Sequence, residues 1–149
     1  MLKVCYKFGK KMNNNSEFIE KLRSSGLRPT KQRLEICKLL FDRKKTFHFS
    51  INELAETLKK ETKIKISLAT LYNTVHSFKK KGYLKEISVN REKSYFDTNT
   101  SDHHHFLDIK TNELIDLKKE HVDNIRIKKS LPGKKINSIE VLVKIENSN

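Results

Sequence analysis

The chain has 149 residues, of which 36% are hydrophobic and 34% charged, and its formal net charge is +14. This length and composition predict a soluble globular protein with one compact core or two small ones. No apolar run approaches the roughly 20 residues of a membrane-spanning helix, and the N-terminus lacks the apolar block of a signal peptide. We therefore expect a cytoplasmic protein that does not enter the membrane.

The positive charge is concentrated in one half of the chain. Residues 1–85 hold 21 Lys and Arg against 7 Asp and Glu, whereas residues 86–149 hold 11 of each kind. A basic half joined to a neutral half is typical of a nucleic-acid-binding domain coupled to a second function. A lysine-rich face that only keeps the protein soluble is the simpler alternative.

Four helices are predicted in the basic half, after a basic tail at residues 1–15. Apolar spacing and capping side chains place them at 16–25, 31–41, 51–61 and 68–81. Thr30, Ser50 and Ser67 are the N-cap candidates of the last three, and Gly82 ends the fourth. Cys37 falls between apolar residues of the second helix and is predicted to be a buried hydrophobe.

The fourth helix has the composition of a DNA-reading element. Its predicted buried stripe consists of Leu68, Leu71, Val75 and Phe78. The opposite face carries hydroxyl, amide, aromatic and basic groups that can contact base edges and phosphates in a major groove. These side chains are Thr70, Tyr72, Asn73, His76, Lys79 and Lys80.

Two short strands, at 84–89 and 94–98, are predicted to follow that helix. A helix-turn-helix with a trailing hairpin is a winged helix, so we assign residues 16–98 to a winged-helix DNA-binding domain. Arg91, at the tip of the hairpin, would lie against the DNA backbone or the minor groove.

Residues 99–149 are predicted to form a small α/β unit, which makes the whole chain an α+β protein. A hairpin at 106–117, a helix at 118–130 and a strand at 135–145 follow from the apolar patterns. About 50 residues with so little apolar mass are marginal alone. We therefore expect this unit to be a dimerisation domain that pairs with a second copy.

Three consecutive histidines, at 103–105, lie among carboxylates in this unit. Residues two apart on a strand share a face, so His103 and His105 can converge on one ion while His104 points elsewhere. A solvated histidine-rich loop is the alternative. Additional side chains of ligand type are His48, Asp97 and Asp116.

The chain resembles the ferric uptake regulator family, and in particular its iron response regulator branch, in the ordered segments GLRPTKQRLEICKLLF, HFS, ISLATLYNTVHSF and KSYFDTNTSDHHH. The resemblance covers about residues 24–116. It implies a homodimeric winged-helix repressor or activator of iron-responsive genes, which binds a double-stranded DNA operator. It also implies that Tyr72 contacts thymine and that Arg33 touches DNA, while Asn73 stands where an arginine is frequent in the family.

The same resemblance implies one regulatory metal site that joins the DNA-binding and dimerisation units. Its five ligands would be His48, Asp97, His103, His105 and Asp116. Three imidazoles and two carboxylates suit Fe(II), Mn(II) or Zn(II).

The sequence departs from the wider family where many members have a CxxC pair for a structural zinc. Asp108 and Thr111 stand at that spacing, so no structural zinc site of that kind can form. The iron response regulator branch shares this loss and is associated with haem, for which one of the histidines at 103–105 could be an axial ligand. His104 and Asp123 are candidates for a further metal or haem position.

Several other functions are compatible with the sequence. A metal-dependent nuclease or hydrolase could use the same ligands, with Asp102 or Asp108 as the base. Neither belongs to a recognisable catalytic pattern, so we predict that the protein is not an enzyme. The protein could also be a manganese- or zinc-responsive repressor, or a basic RNA-binding module.

Overall fold

The computed structural model describes the backbone of Val4–Cys5 and all of residues 15–148. Most of the predicted tail at 1–15 therefore lies outside the described residues. The chain has an α+β fold in two compact units, and the second begins at Ser101.

The first unit contains four helices whose starts and ends follow local side-chain chemistry. They are α1 (Asn15–Ser24), α2 (Lys31–Phe41), α3 (Ile51–Glu61) and α4 (Leu68–Lys81). The side chains of Thr30, Ser50 and Ser67 each accept a hydrogen bond from a first-turn backbone N–H, and Glu53 completes a capping box with Ser50. Gly82 ends α4 with a φ of 86°, which a residue with a side chain rarely adopts. The predicted helix bounds are confirmed to within one residue.

The buried stripe of α4 differs from the prediction at its first position. Leu71, Val75 and Phe78 are buried as predicted, but Leu68 is 53% exposed. Leu68 lies in the first turn, where it lines a surface groove beside Ile66 instead of entering the core. The fourth buried side chain is Thr74, whose hydroxyl donates to the carbonyl of residue 70 at 2.7 Å and is thereby satisfied.

The core of the first unit is formed by apolar side chains from all four helices and the adjoining strands. Phe78 packs edge-on against Phe41 and Tyr83, with ring centroids 5.3 and 6.2 Å apart. Full burial of the Phe78 side chain contributes on the order of 1.5–3 kcal/mol. These contacts anchor the C-terminal half of α4 in the core.

One sheet completes the first unit. Its strands are β1 (Val4–Cys5), β2 (Thr46–Phe49), β3 (Lys85–Ser88) and β4 (Ser94–Asp97), in the order β1-β2-β4-β3. The predicted hairpin is confirmed as β3 and β4, which pair antiparallel. Its turn is closed by Asn90, whose Oδ1 accepts from the backbone N–H groups of Glu92 and Lys93. The sequence did not predict β1 or β2.

The second unit has a sheet of three strands. They are β5 (His104–Asp108), β6 (Leu114–Leu117) and β7 (Leu142–Ile145), in the order β6-β5-β7. β5 and β6 form the predicted hairpin, while β7 lies parallel to β5 on its other side. The predicted strand at 135–145 is thus shorter than its alternating pattern suggested.

The helix predicted at 118–130 was wrong. Within the described part of this segment, the only helical turn is a 3₁₀ turn at Lys119–His121. Ile125, Ile127 and Leu131 are 42%, 52% and 73% exposed, and their spacing of two and four residues does not form one helical stripe. A short helix takes most of its stability from packing an apolar face, which this segment does not provide.

The structure contains no helix, among the residues it describes, that has both the length and the apolar character to cross a membrane.

Candidate metal centre and DNA-reading surface

A histidine and an aspartate face each other on adjacent strands of the first unit. β2 and β4 pair so that His48 lies opposite Asp97. Because side chains opposite each other in an antiparallel pair are close neighbours, the imidazole Nε2 lies 3.2 Å from the carboxylate Oδ2. His48 is 8% exposed and Asp97 1%. The backbone N–H of Asn99 donates to the other oxygen of Asp97 at 2.7 Å, which orients the carboxylate.

Three further ligand-type side chains converge in the second unit. His105 on β5 lies opposite Asp116 on β6, and His103 stands just before β5. The Nε2 atoms of His103 and His105 lie 3.3 and 3.9 Å from Oδ1 of Asp116. One ligand atom from each of the three lies within 4.8 Å of the others. Both imidazoles are buried.

The environment of His103 determines which of its ring nitrogens is available as a ligand atom. Its Nδ1 lies 2.8 Å from the carbonyl oxygen of Ser101. A carbonyl can only accept, so Nδ1 carries the proton and Nε2 of the neutral ring carries the lone pair. That lone pair faces a carboxylate oxygen of Asp116, and a proton or a metal cation between the two atoms stabilises this arrangement. No sequence pattern indicated the role of Ser101.

His104 has a different environment from its neighbours. It is buried, and its Nδ1 accepts a hydrogen bond from the backbone N–H of Val141 at 3.3 Å. Asp123, which was paired with it as a candidate for a further metal or haem position, is exposed. Across residues 15–148, neither side chain belongs to a group of three or more potential ligands.

Asp108, the last residue of β5, and Thr111, in the turn that leads to β6, are the pair that stands at the CxxC spacing. Oδ1 of Asp108 accepts from the backbone N–H groups of Thr111 at 3.0 Å and Lys110 at 2.8 Å. These hydrogen bonds, that of Thr111 first, lower the pKa of the Asp108 carboxyl below its ordinary value. Hydrogen bonds between side chain and backbone therefore close this turn.

The predicted DNA-reading face of α4 is accessible, although two of its members have partners within the unit. Tyr72, Asn73, His76 and Lys80 are exposed. The hydroxyl of Thr70 accepts from that of the N-cap Ser67 at 3.0 Å, so it helps to start the helix. Lys79 lies 2.6 Å from Glu86 on β3, a partner that the sequence did not reveal.

The two arginines of the predicted DNA surface lie on different elements. Arg91 is exposed near the tip of the β3–β4 hairpin. Arg33, on α2, is half-buried and donates from its guanidinium to the carbonyl of Arg28 at 2.9 Å. Between α4 and the hairpin lies an open groove of about 540 Å³, lined by Tyr72 and His76 on one side and by Arg91 on the other.

Comparison with known proteins identifies relatives along most of the chain. A sequence model of the ferric uptake regulator family matches residues 24–144. The peroxide-responsive repressor PerR of Staphylococcus epidermidis is 32% identical over 109 residues, which cover 73% of this chain and 71% of the relative. PerR of Staphylococcus aureus strain Mu50 is 31% identical over the same length.

Solved structures share the fold. The manganese-containing ferric uptake regulator of Pseudomonas aeruginosa superimposes with a TM-score of 0.62 at 21% identity, and covers 93% of this chain and 100% of its own. The peroxide stress regulator of Campylobacter jejuni gives 0.55 at 27% identity, with coverage of 87% and 92%. From the family match and the similarity to the curated relatives, we conclude that this chain belongs to the ferric uptake regulator family.

Proposed function

We propose that the protein is a metal-responsive transcription regulator that binds an operator as a homodimer when a divalent ion occupies its histidine and aspartate ligands. The observation that carries the proposal is the geometry of those ligands within each unit. Nε2 of His48 lies 3.2 Å from Asp97, and Nε2 of His103 lies 3.3 Å from Asp116. Buried imidazole–carboxylate pairs are costly unless a proton or cation compensates them.

The donor set suits a divalent transition metal. His48, Asp97, His103, His105 and Asp116 offer three nitrogens and two carboxylate oxygens, a mixture that Fe(II), Mn(II) and Zn(II) accept. The family resemblance supports the proposal that all five serve one ion. When bound, the ion would supply the positive charge that holds these side chains in one arrangement. DNA affinity then depends on the ion to the extent that this arrangement favours the DNA-binding conformation.

We propose iron as the physiological ion, as in the iron response regulator branch. The family description and the Asp108–Thr111 departure from CxxC support this assignment. Haem is not part of the proposal, because the three histidines that could ligate it are each at most 6% exposed, which leaves a porphyrin little access to their rings.

DNA reading is proposed for the exposed face of α4 and for the β3–β4 hairpin. Tyr72 and Asn73 can reach base edges, while Lys80 and Arg91 can neutralise phosphates. The excess of positive charge in residues 1–85 supports a DNA partner for this unit.

Operator binding by the purified protein tests this function. A pool of random duplexes should yield an inverted repeat, which a homodimer requires. Binding to the selected operator should tighten at least about tenfold when Mn(II) or anaerobic Fe(II) is added, which corresponds to about 1.4 kcal/mol. The His103→Ala variant should lose this response, whereas His121→Ala, which removes an exposed histidine outside the ligand set, should keep it.

Three results would contradict the proposal. Binding that is independent of metal would remove the sensing role. Tight binding to structured RNA without a selected inverted repeat would indicate an RNA-binding protein. Cleavage of the duplex that requires the metal and disappears in His103→Ala would indicate a nuclease.

A response to peroxide is a second candidate, and the names of the curated relatives favour it. Fe(II) reduces hydrogen peroxide and Mn(II) does not do so readily, so the two metal forms should differ. Under this second function, brief exposure to peroxide should abolish operator binding by the Fe(II) form and leave the Mn(II) form active. If both metal forms keep their operator binding after exposure to peroxide, the signal is the availability of iron and not peroxide.

A further inference from the structure

Four rings lie in succession between the exposed face of α4 and the strand pair β2–β4. Tyr72 and His76 stack at a centroid distance of 6.1 Å and an angle of 11°. His76 meets Phe96 edge-on at 5.6 Å and 87°. Phe96 stacks on Phe49 at 5.7 Å and 26°. The series begins at a side chain proposed to read DNA and ends in the core of the same unit.

The strand pair at the inner end of this series has two different faces. Phe49 on β2 lies opposite Phe96 on β4, directly beside the pair formed by His48 and Asp97. Successive residues of a strand point to opposite faces. One face of the pair therefore carries two proposed metal ligands and the other carries the two phenylalanines. A displacement of either strand by ligand binding at His48 and Asp97 moves both faces together.

We propose that His76 is a positioning residue that orients Tyr72 for operator reading and couples this orientation to metal binding through Phe96. The inference deepens the proposed function and rests on it. Residues four apart on a helix are neighbours, so His76 can restrain Tyr72 within α4 itself. Its contact with Phe96 adds a restraint from β4, which carries the proposed metal ligand Asp97.

Tyr72 benefits from such a restraint because 46% of its surface is exposed. An exposed side chain without a neighbour samples several rotamers, and ordering it on binding costs entropy. A ring already held against His76 loses less freedom when DNA binds, which raises affinity without a new contact. The stack thereby makes Tyr72 sensitive to the position of β4.

A double-mutant cycle separates this role from a direct contact of His76 with DNA. The variants are His76→Ala, His76→Phe, Tyr72→Ala and the combination of His76→Ala with Tyr72→Ala. Each is titrated with the selected operator, with and without Mn(II), and the response is the ratio of the two dissociation constants. Lys80→Ala is the control, because it truncates an exposed side chain of the same helix that does not belong to the series of rings.

The proposal predicts a specific pattern. His76→Ala should lower the Mn(II) response about fivefold or more, and fivefold is the lower end of the usual coupling between two sites. The response of His76→Phe, which preserves an aromatic ring, should stay within about twofold of the wild type. Adding His76→Ala to Tyr72→Ala should change little further, because His76 acts through Tyr72. Lys80→Ala should weaken binding with the response unchanged. A thermal melt of each variant verifies that it folds.

Three results would overturn the role of His76 while leaving the proposed function intact. In the first, the wild type responds to Mn(II) and His76→Ala responds equally. In the second, the losses from His76→Ala and Tyr72→Ala add fully. In the third, His76→Phe loses as much as His76→Ala, as a direct polar contact with a base requires. If the wild type itself does not respond to Mn(II), the proposed metal-dependent function fails, and with it the coupling role of His76.

Discussion

The ammonium group of Lys79, on the proposed DNA-reading face of α4, lies 2.6 Å from Oε2 of Glu86 on β3. The Lys79 hydrogen bond is the main cause of the lowered pKa of the Glu86 carboxyl. The pair joins α4 to the hairpin that follows it. The ion pair also engages the Lys79 ammonium group, which could otherwise neutralise a DNA phosphate.

Replacing Glu86 should therefore increase the salt dependence of DNA binding. In Glu86→Gln, Lys79 is released to contact phosphate, and the slope of log affinity against log salt should steepen by about 0.9 for each phosphate gained. Binding to random duplexes across a series of salt concentrations measures the slope. Glu92→Gln removes the same charge from the exposed tip of the hairpin and is the matched control. Equal changes in both variants would mean that only net charge matters.

Tyr72 and Lys80 should differ in how they affect specificity. Tyr72→Ala should weaken binding to the selected operator by about 1–3 kcal/mol and affect random DNA less, because a base contact is lost. Lys80→Ala should weaken both to a similar degree and reduce the salt slope by about 0.9. Competition titrations with operator and random duplexes give both quantities. Similar specificity losses in the two variants would argue against α4 as the reading helix.

Cys37 should react with thiol reagents only when the first unit opens. Burial raises the pKa of its thiol to about 12, although the charge of Lys21 opposes the shift. Because the thiolate is the reactive form, labelling at pH 8 should be very slow in the native protein. The measurement uses a Cys5→Ser variant, so that Cys37 is the single thiol, and follows labelling as urea is added. Complete labelling in native buffer at the rate of a free thiol would contradict this burial.

The four helices were predictable from sequence because their signals are local. Thr30, Ser50 and Ser67 cap helices whose apolar residues repeat at helical spacing, and these features act within a few residues of the chain. In β2, by contrast, the alternation of Thr46 and His48 with Phe47 and Phe49 spans only four residues, the lower limit at which such a pattern indicates a strand. Pairing with β4, some fifty residues later in the sequence, makes it a strand.

In the candidate site, too, some features were predictable from the sequence and others were not. The convergence of His103 and His105 was predicted from their two-residue spacing, although His103 lies just before β5, whereas only the family resemblance implied that His48 and Asp97 belong to the same site. Their juxtaposition depends on the β2–β4 register, which no local pattern revealed. Likewise, the spacing of Tyr72 and His76 allows a stack within α4, but the contact of His76 with Phe96 is a tertiary feature.

The stability of the hairpin that has Asp108 and Thr111 in place of a CxxC pair should depend on pH. Since hydrogen bonds lower the pKa of Asp108 in the folded state, the unfolded chain binds its proton more tightly. The stabilisation should therefore be complete above the ordinary pKa of 3.8 and decline as pH falls through the lower folded value.

Two measurements test this contribution. An NMR titration of the Asp108 carboxyl carbon should have its midpoint below 3.8. The difference in urea midpoint between the wild type and Asp108→Ala should be largest above about pH 5 and shrink toward pH 3. Asp123→Ala, which removes an exposed carboxylate from the same unit, should cause no comparable loss. If Asp108→Ala is no less stable than Asp123→Ala at neutral pH, the hydrogen bonds of Asp108 do not stabilise the turn.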